Sequence, residues 1–287
     1  MTAQVIAGLD GSDESLAAVE WAAEEARVRQ VPLALMNVEE LPANPEIPLA
    51  QLSEAAERTA ELLRTTSERL RTEHAGLEVS VVRARGRAAE ELTAAAHTAD
   101  VTVLGSRGLA RMAGFLAGSV SLAVVGAALN PVVLVRAQDE RIAPPGGLLV
   151  GVDVDRAPDE LFAFAFAEAA RRNLDLRFLH SWTLPASYGY AALMDPALGV
   201  DQSEHLARTL RDLMKPWRRR YPEVEATAKA VVGSPALQMV EASRDAELVV
   251  VGRRSRRLPL GPHLGHVAQA VIHHSPAPVV VVPVPVP

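Results

Sequence analysis

No cysteine occurs anywhere in the 287-residue chain, which excludes disulfides, thiolate metal sites and thiol nucleophiles. A chain without thiols needs no oxidising compartment, and a reducing cytoplasm suits it. Lysine is almost as scarce: Lys215 and Lys229 are the only two, neither beside a glycine, so there is no Walker A phosphate loop. No Gly-x-Gly-x-x-Gly follows the first apolar run, against a dinucleotide fingerprint, and no Gly-x-Ser-x-Gly elbow is present. Positive charge is short as well. Lys and Arg number 29 against 35 Asp and Glu, a net charge of −6, where general nucleic-acid binding needs a basic surface. The opening MTAQVIAGLDGS has no basic start, and Asp10 interrupts its apolar run, so it is not a signal peptide. One stretch, Met112 to Val135, carries no charge over 24 residues. Gly118, Ser119, Ser121, Asn130 and Pro131 divide it into a loop, a short helix and a strand, so it reads as interior rather than membrane.

What is present is repetition. NPVVLV (130–135) returns as APVVVV (277–282) at an offset of 147, which also carries Gly86 to Gly233, Gly105 to Gly252 and Gly118 to Gly265. Near the starts, VIAGLD (5–10) matches LLVGVD (148–153) at an offset of 143, so the second copy gains four residues between its first and third strands. A period this long means duplicated domains rather than a solenoid. The expected division is 1–138, a linker at 139–147 rich in charge, proline and glycine, and 148–287.

Each copy alternates strand and helix. In the first, VIAGL (5–9) is a strand, and Leu16, Val19, Ala22, Ala23 and Ala26 follow at helical spacing, with Ser12 as a candidate N-cap. Strands follow at 32–38, 77–84, 101–105 and 132–136, with helices over 49–74, 86–99 and from about Gly118. Strands too apolar to have a wet face, separated by helices, imply a parallel sheet covered on both sides. The fold class is therefore α/β, with two tandem five-stranded, doubly wound, Rossmann-like sandwiches. Ligands of such sheets bind at the carboxyl ends of strands, where the order switches; Asp10, Val38 and Gly105 occupy those ends.

The strongest pattern follows the fourth strand: Gly105-Ser106-Arg107-Gly108, nine residues, then Gly118-Ser119. Glycines let a backbone approach a ligand closely, and a helix opening at Gly118-Ser119 attracts anions through its unpaired N–H groups and dipole. Ser119 adds a hydroxyl, and Arg107 and Arg111 supply charge. The same glycines also suit a tight crossover loop with no ligand, and Asp10 also suits a turn or cap.

Gly-x2-Gly-x9-Gly-Ser together with V-x-x-G-x-D-G-S at the first strand's end resembles the universal stress protein family in its tandem form, over nearly the whole length. The resemblance implies that family's adenine-nucleotide α-hydrolase-like fold, dimerisation through the terminal strands and, in one branch, ATP at the switch point, with Mg2+ from solution. By that likeness Asp10 faces the adenine or ribose, Val38 offers backbone contacts to the adenine edge, and Gly8 belongs to the same site. Gly105 and Gly108 line the ribose and phosphates, and Ser119 and Val120 contact the phosphates; Ser106, Arg107, Arg111 and Gly118 complete the candidate site. The second site would comprise Gly151, Asp153, Ser181, Gly252, Arg253, Arg254, Ser255, Gly265, His266 and Val267. There serine replaces the second glycine and histidine the Gly-Ser serine; Ser255 disfavours positive φ, while Arg253, Arg254, Arg256 and Arg257 make the loop cationic. The expectation is ATP binding with unequal sites.

No positioned base, metal or lysine argues for fast phosphoryl transfer, so hydrolysis is expected to be weak or absent. The implied role is a nucleotide-dependent stress regulator or sensor acting on a protein partner the sequence does not name. Two rivals stand: an interaction module of the same fold without ligand, and an adenylyl-transfer enzyme suggested by His263-Leu264-Gly265-His266. His273 and His274 read as a helix end rather than a metal site. Trp217 and Tyr221, four apart beside Arg218, Arg219 and Arg220, read as core contacts rather than base-stacking groups.

Overall fold

The computed structural model of the chain describes residues 3–40, 49–106, 118–137, 146–183, 197–255 and 264–285. Two compact units emerge, Met1–Arg141 and Ile142–Pro287.

Unit 1 runs β1 (Val5–Gly8), α1 (Asp13–Arg29), β2 (Leu33–Glu39), α2 (Leu49–Glu73), β3 (Val79–Arg85), α3 (Ala88–Ala96), β4 (Val101–Gly105), α4 (Ser119–Ala127) and β5 (Val132–Val135). Its strands lie side by side in the order β3-β2-β1-β4-β5, all parallel. Val5 pairs with both Leu33 and Val101, so the order reverses between β1 and β4. Unit 2 repeats the plan with β6 (Leu148–Gly151), α5 (Asp159–Arg172), β7 (Leu176–Trp182), α6 (Ala197–Arg220), β8 (Ala226–Val232), α7 (Pro235–Ala242), β9 (Leu248–Ser255), α8 (His266–His274) and β10 (Val279–Pro285). The order β10-β9-β6-β7-β8 is the same winding. Among the described residues no helix is long and apolar enough to cross a membrane. The uncharged stretch supplies α4 and β5.

The first helix of each unit lies against its sheet through one apolar stripe. In α1 this is Ala18, Val19, Ala22, Ala23 and Ala26, all at 0% exposure; in α5 it is Leu161, Phe162, Ala165, Phe166 and Ala169. The larger side chains of α5 build an aromatic cluster. Phe178 stacks on Phe162 at 4.9 Å, and Phe166 meets Trp217 at 6.5 Å and Tyr221 at 6.1 Å. Trp217 and Tyr221 are thus core contacts.

Both first helices also carry a buried carboxylate 143 residues apart. Glu25 pairs with Arg29, and Glu168 pairs with Arg172 at 2.6 Å and Arg171 at 2.8 Å. Each helix then ends on a left-handed residue that is not glycine, Gln30 (φ 57°) and Asn173 (φ 53°). β2 and β7 keep the 143 offset, while the fully buried Leu63 and Leu210 stand 147 apart. The four extra residues therefore enter between β7 and Leu210.

Two prolines end β10, a strand reading VVVVPVP. Val249 N–H donates to the Pro278 carbonyl, so by alternation the even residues of β10 face β9. Pro283 and Pro285 then direct their missing donors away from β9, which is why they fit the ladder there.

Two substitutions test this packing. Thr102, on β4, is 0% exposed, and its hydroxyl has no hydrogen-bond partner among the described residues. The second copy has the near-isosteric Val249 at the equivalent place. Thr102→Val is expected to raise stability by about 1 kcal/mol, since a buried hydroxyl without a partner is a net cost; denaturant titration measures it. Glu168→Ala removes the buried carboxylate that pairs with Arg171 and Arg172 and should cost about 3 kcal/mol in the same measurement.

Candidate functional site

At the carboxyl ends of β1 and β4, where the order switches, unit 1 encloses a cavity of about 490 Å3. That lies within the range of roughly 300–1,000 Å3 usual for small-molecule sites. Its wall is built from three turns.

The first follows β1. Gly11 at φ +87° lets the chain double back, and Ser12 caps α1 by accepting from Ser15 N–H at 3.2 Å. Asp10 Oδ1 accepts from Ser12 N–H at 2.9 Å and Ser12 Oγ at 2.6 Å. Ser15 Oγ accepts from Gly11 N–H at 3.1 Å and donates to the Ser12 carbonyl at 2.9 Å. Asp10 is therefore a turn carboxylate, and it is also an exposed part of the cavity wall, together with Glu14.

The second is the end of β2. Leu9 N–H donates to the Met36 carbonyl at 2.9 Å, and Gly86 N–H donates to the Glu39 carbonyl at 3.2 Å. Backbone groups on a parallel strand alternate between neighbours, so even residues of β2 face β1 and odd ones face β3. β1 ends at Gly8, level with Met36. The N–H and C=O of Val38 consequently reach past the end of β1, at the cavity wall. Asn37 braces this edge, its Nδ2 donating to the Leu9 carbonyl at 2.8 Å.

The third joins β4 to α4. Gly105 packs under the first turn of α1. A Cβ there would sit 2.7 Å from the Glu14 carbonyl carbon and 2.8 Å from both the Glu14 oxygen and the Ser15 nitrogen. Ser121 Oγ donates to the Gly105 carbonyl at 2.8 Å, tying α4 to β4. Gly118 adopts φ 72°, ψ 49° as the N-cap of α4, which has no side-chain cap. The helical ladder starts with Leu122 N–H to the Gly118 carbonyl. The amides of Ser119, Val120 and Ser121 precede it at the cavity wall, with the helix dipole behind them.

The structure thus brings together Gly8, Asp10, Val38, Gly105, Gly118, Ser119 and Val120. Ser106 is set apart: it is 7% exposed, its N–H donates to the Val135 carbonyl, and it does not line the cavity. Arg107, Gly108 and Arg111 lie outside the described residues. Sequence reasoning missed Asn37, Glu14, Leu92 and Ser121. Only Ser121, two residues beyond the Gly-Ser pair, left a visible signal.

Unit 2 builds its carboxyl end differently. Val154 stands where Gly11 does, so a single 3-10 turn, Val154–Arg156, follows β6 and α5 starts only at Asp159. Asp153 caps that turn, accepting from Asp155 N–H at 3.3 Å, and its Oδ2 lies 3.9 Å from Arg254. β9 continues three residues beyond Gly252, pairing Arg253, Arg254 and Ser255 with Pro283, Val284 and Pro285. This corrects the expectation of a cationic glycine-type loop at these positions. Arg253 is 5% exposed, its guanidinium pKa lowered by burial, and Arg254 extends from a strand. Ser255 is a strand residue, so positive φ does not arise. Gly151 ends β6 beside Met239, whereas Gly252 lies within β9. Gly265 caps α8 in an extended conformation (φ −59°), unlike Gly118, with exposed His266 and then Val267 beginning the helix. Arg256, Arg257 and His263 lie outside the described residues.

One arrangement survives in both units. Val152 N–H donates to the Leu179 carbonyl and Gly233 N–H to the Trp182 carbonyl, so Ser181 faces past β6 as Val38 faces past β1. His180 stands in for Asn37, its Nδ1 lying 3.1 Å from the Val152 carbonyl. A carbonyl only accepts, so Nδ1 carries the proton.

Elsewhere among the described residues, Glu20, Glu73 and His74 bring possible metal-ligand atoms within 4.8 Å of one another. Arg69 already bridges both carboxylates, holding Glu73 at 2.7 Å.

Fold and site define a duplicated, doubly wound α/β protein with a pocket at a switch point. The model of the universal stress protein family matches residues 1–136 and again 147–283. A universal stress protein of Mycobacterium tuberculosis is 32% identical over 288 residues, covering 96% of this chain and 95% of that protein. Another, from Mycolicibacterium smegmatis, is 32% identical over 289 residues, covering 97% and 96%. The crystal structure of a universal stress protein from Archaeoglobus fulgidus matches with a TM-score of 0.71 over 98% of each chain at 20% identity, a likeness of fold. The chain belongs to the universal stress protein family, in its tandem two-domain form.

Gly105 and its counterpart Gly252 differ clearly in the room around them. A Cβ at Gly252 would meet only Val284 and Leu161, at 3.6 Å and beyond. Gly105→Ala is expected to cost about 2 kcal/mol through forced displacement of α1, and Gly252→Ala within about 0.5 kcal/mol of nothing. Paired thermal melts measure both.

Proposed function

We propose that unit 1 binds ATP and that the protein works as a nucleotide-dependent regulator or sensor in the stress response, with hydrolysis weak or absent. The observation that carries the reading is one cavity holding two complementary features: the outward peptide edge of Val38 and the uncapped start of α4. A peptide N–H and C=O side by side match the acceptor and amino donor on an adenine edge. Three helix-terminal amides at the dipole's positive end match a phosphate chain. Gly118 makes the left-handed turn that opens α4, Ser119 adds a hydroxyl, and Arg107, Gly108 and Arg111 fall between β4 and α4 in the sequence.

The described wall contains two carboxylates, Asp10 and Glu14, and neither Lys nor Arg. Carboxylate oxygens suit Mg2+, which favours one or two of them together with phosphates. Asp10 and Glu14 would hold such an ion, which would neutralise the phosphates against those same carboxylates. In unit 2 the retained features are the edge at Ser181 and the α8 amides at His266 and Val267. The Asp153–Arg254 approach and the extended β9 support weaker, altered binding there.

Ligand binding to the native state must raise stability, by about 2.7 kcal/mol at a hundredfold excess over Kd. Calorimetry and melting with ATP test the reading. Ser119→Asp is the informative variant: an acid in the first turn favours the helix and repels phosphate. Its apo melting temperature should hold or rise while ATP affinity falls at least about a hundredfold, roughly 2.7 kcal/mol. His266→Asp should leave the tighter site unchanged. No heat and no melting shift for the unmodified protein would sink the proposal.

A further inference from the structure

The outer faces of the two long helices have diverged in charge. On α6, Arg208, Arg211 and Lys215 recur at i, i+3 and i+7, and Arg218 and Arg219 continue the row; all five are exposed. The row extends over about 16 Å at 1.5 Å per residue. At the equivalent places, 147 residues earlier, α2 carries Glu61, Arg64, Glu68, Arg71 and Thr72. There Arg64 joins Glu61 and Glu68, each at 2.7 Å. On α6, Asp212 pairs with Lys215 at 2.6 Å and also interacts with Arg211. Arg208, Arg218 and Arg219 make no ion pair among the described residues. Like charges at such spacing oppose the helix, so an outside anion relieves them.

The complement is in the chain itself. Unit 1 holds 13 Lys and Arg against 20 Asp and Glu, unit 2 holds 16 against 15. The amino-terminal turns of α2 display Glu54, Glu57 and Glu61, again at i, i+3 and i+7, all exposed. Arg58 stands 3.8 Å from Glu54, and Glu57 has no ion-pair partner among the described residues. From residue 50 to residue 62 no α2 residue is buried; Leu63 is the first. These turns present an acidic row with little of their own unit against it.

We propose that copies of this protein associate through the basic row of α6 on one copy and the acidic row of α2 on another. The matched spacing lets carboxylates and cations meet residue by residue along two helices. A lipid bilayer fits less well, because the apolar face of α6, with Leu210 and Met214 at 0% exposure, is spent within its own unit. The surplus of acid in unit 1 works against both anionic membranes and nucleic acid. The contact is heterologous, so it either closes into a ring or runs on. It differs from any pairing of apolar terminal strands in being sensitive to salt.

Sedimentation velocity of the full chain at about 20 mM and about 500 mM salt tests this, spanning Debye lengths from roughly 20 Å to 4 Å. Two triple variants accompany it: Arg208→Glu with Arg211→Glu and Lys215→Glu, and Glu54→Arg with Glu57→Arg and Glu61→Arg. The unmodified protein should self-associate at low salt and lose that association at high salt. Each variant alone should associate at least about tenfold more weakly, and an equimolar mixture should restore it, which also shows that both are folded. Wild type of one size at both salts, variants that associate like wild type, or a mixture that stays apart overturns the proposal. Binding of the unmodified protein to anionic vesicles or RNA, lost in the α6 variant and unaccompanied by self-association, also overturns it and assigns the row to another polyanion.

Discussion

The site in unit 1 depends on one close approach, the α-carbon of Gly105 beneath the Glu14 peptide. There is no room for a methyl group between them. The approach exists because Gly11 reverses the chain quickly enough for α1 to begin at Asp13, three residues after Asp10. With α1 so near, β4 stops, its last carbonyl is taken by Ser121, and the chain must leave the sheet. Unit 2 shows the same sheet without that constraint. Val154 cannot make the reversal, α5 begins six residues after Asp153, Gly252 has ordinary room, and β9 runs on with β10. A single left-handed glycine thus decides whether the strand ends in a pocket or continues as a ladder.

The duplication has preserved what is buried and released what is not. Glu25–Arg29 and Glu168–Arg172 occupy the same turn of the same helix, followed by the same unusual backbone at Gln30 and Asn173. A buried carboxylate that loses its cation is penalised heavily, so the pair persists or goes as a whole. The apolar stripe of the first helix kept its spacing while Ala18, Val19 and Ala23 gave way to the larger Leu161, Phe162 and Phe166, with Trp217 and Tyr221 filling in behind. On the solvent side no such coupling exists, and at equivalent places α2 mixes acids with arginines where α6 is basic.

Most of the architecture was legible, because strand and helix periods, the N-cap at Ser12 and the glycine spacing are written in residue type. The units could even be aligned by eye. Less visible were features set by backbone position. The prolines of VVVVPVP lie within β10 because their alternation puts both missing donors on one edge. The arginines after Gly252 looked like loop residues for want of any local sign that β9 goes on. Asn37 and His180 share no chemistry that a pattern would pair. Only the carbonyls at Leu9 and Val152 that each one braces reveal a common task.

The edge at Val38 and its counterpart at Ser181 have a consequence for heredity. What they offer belongs to the peptide unit and not to the side chain, so a change from valine to serine leaves the offered donor and acceptor in place. Selection acting on such a contact leaves little trace in the identity of the residue that makes it. Its record is kept instead in the parity of the strand and in how soon its neighbour stops.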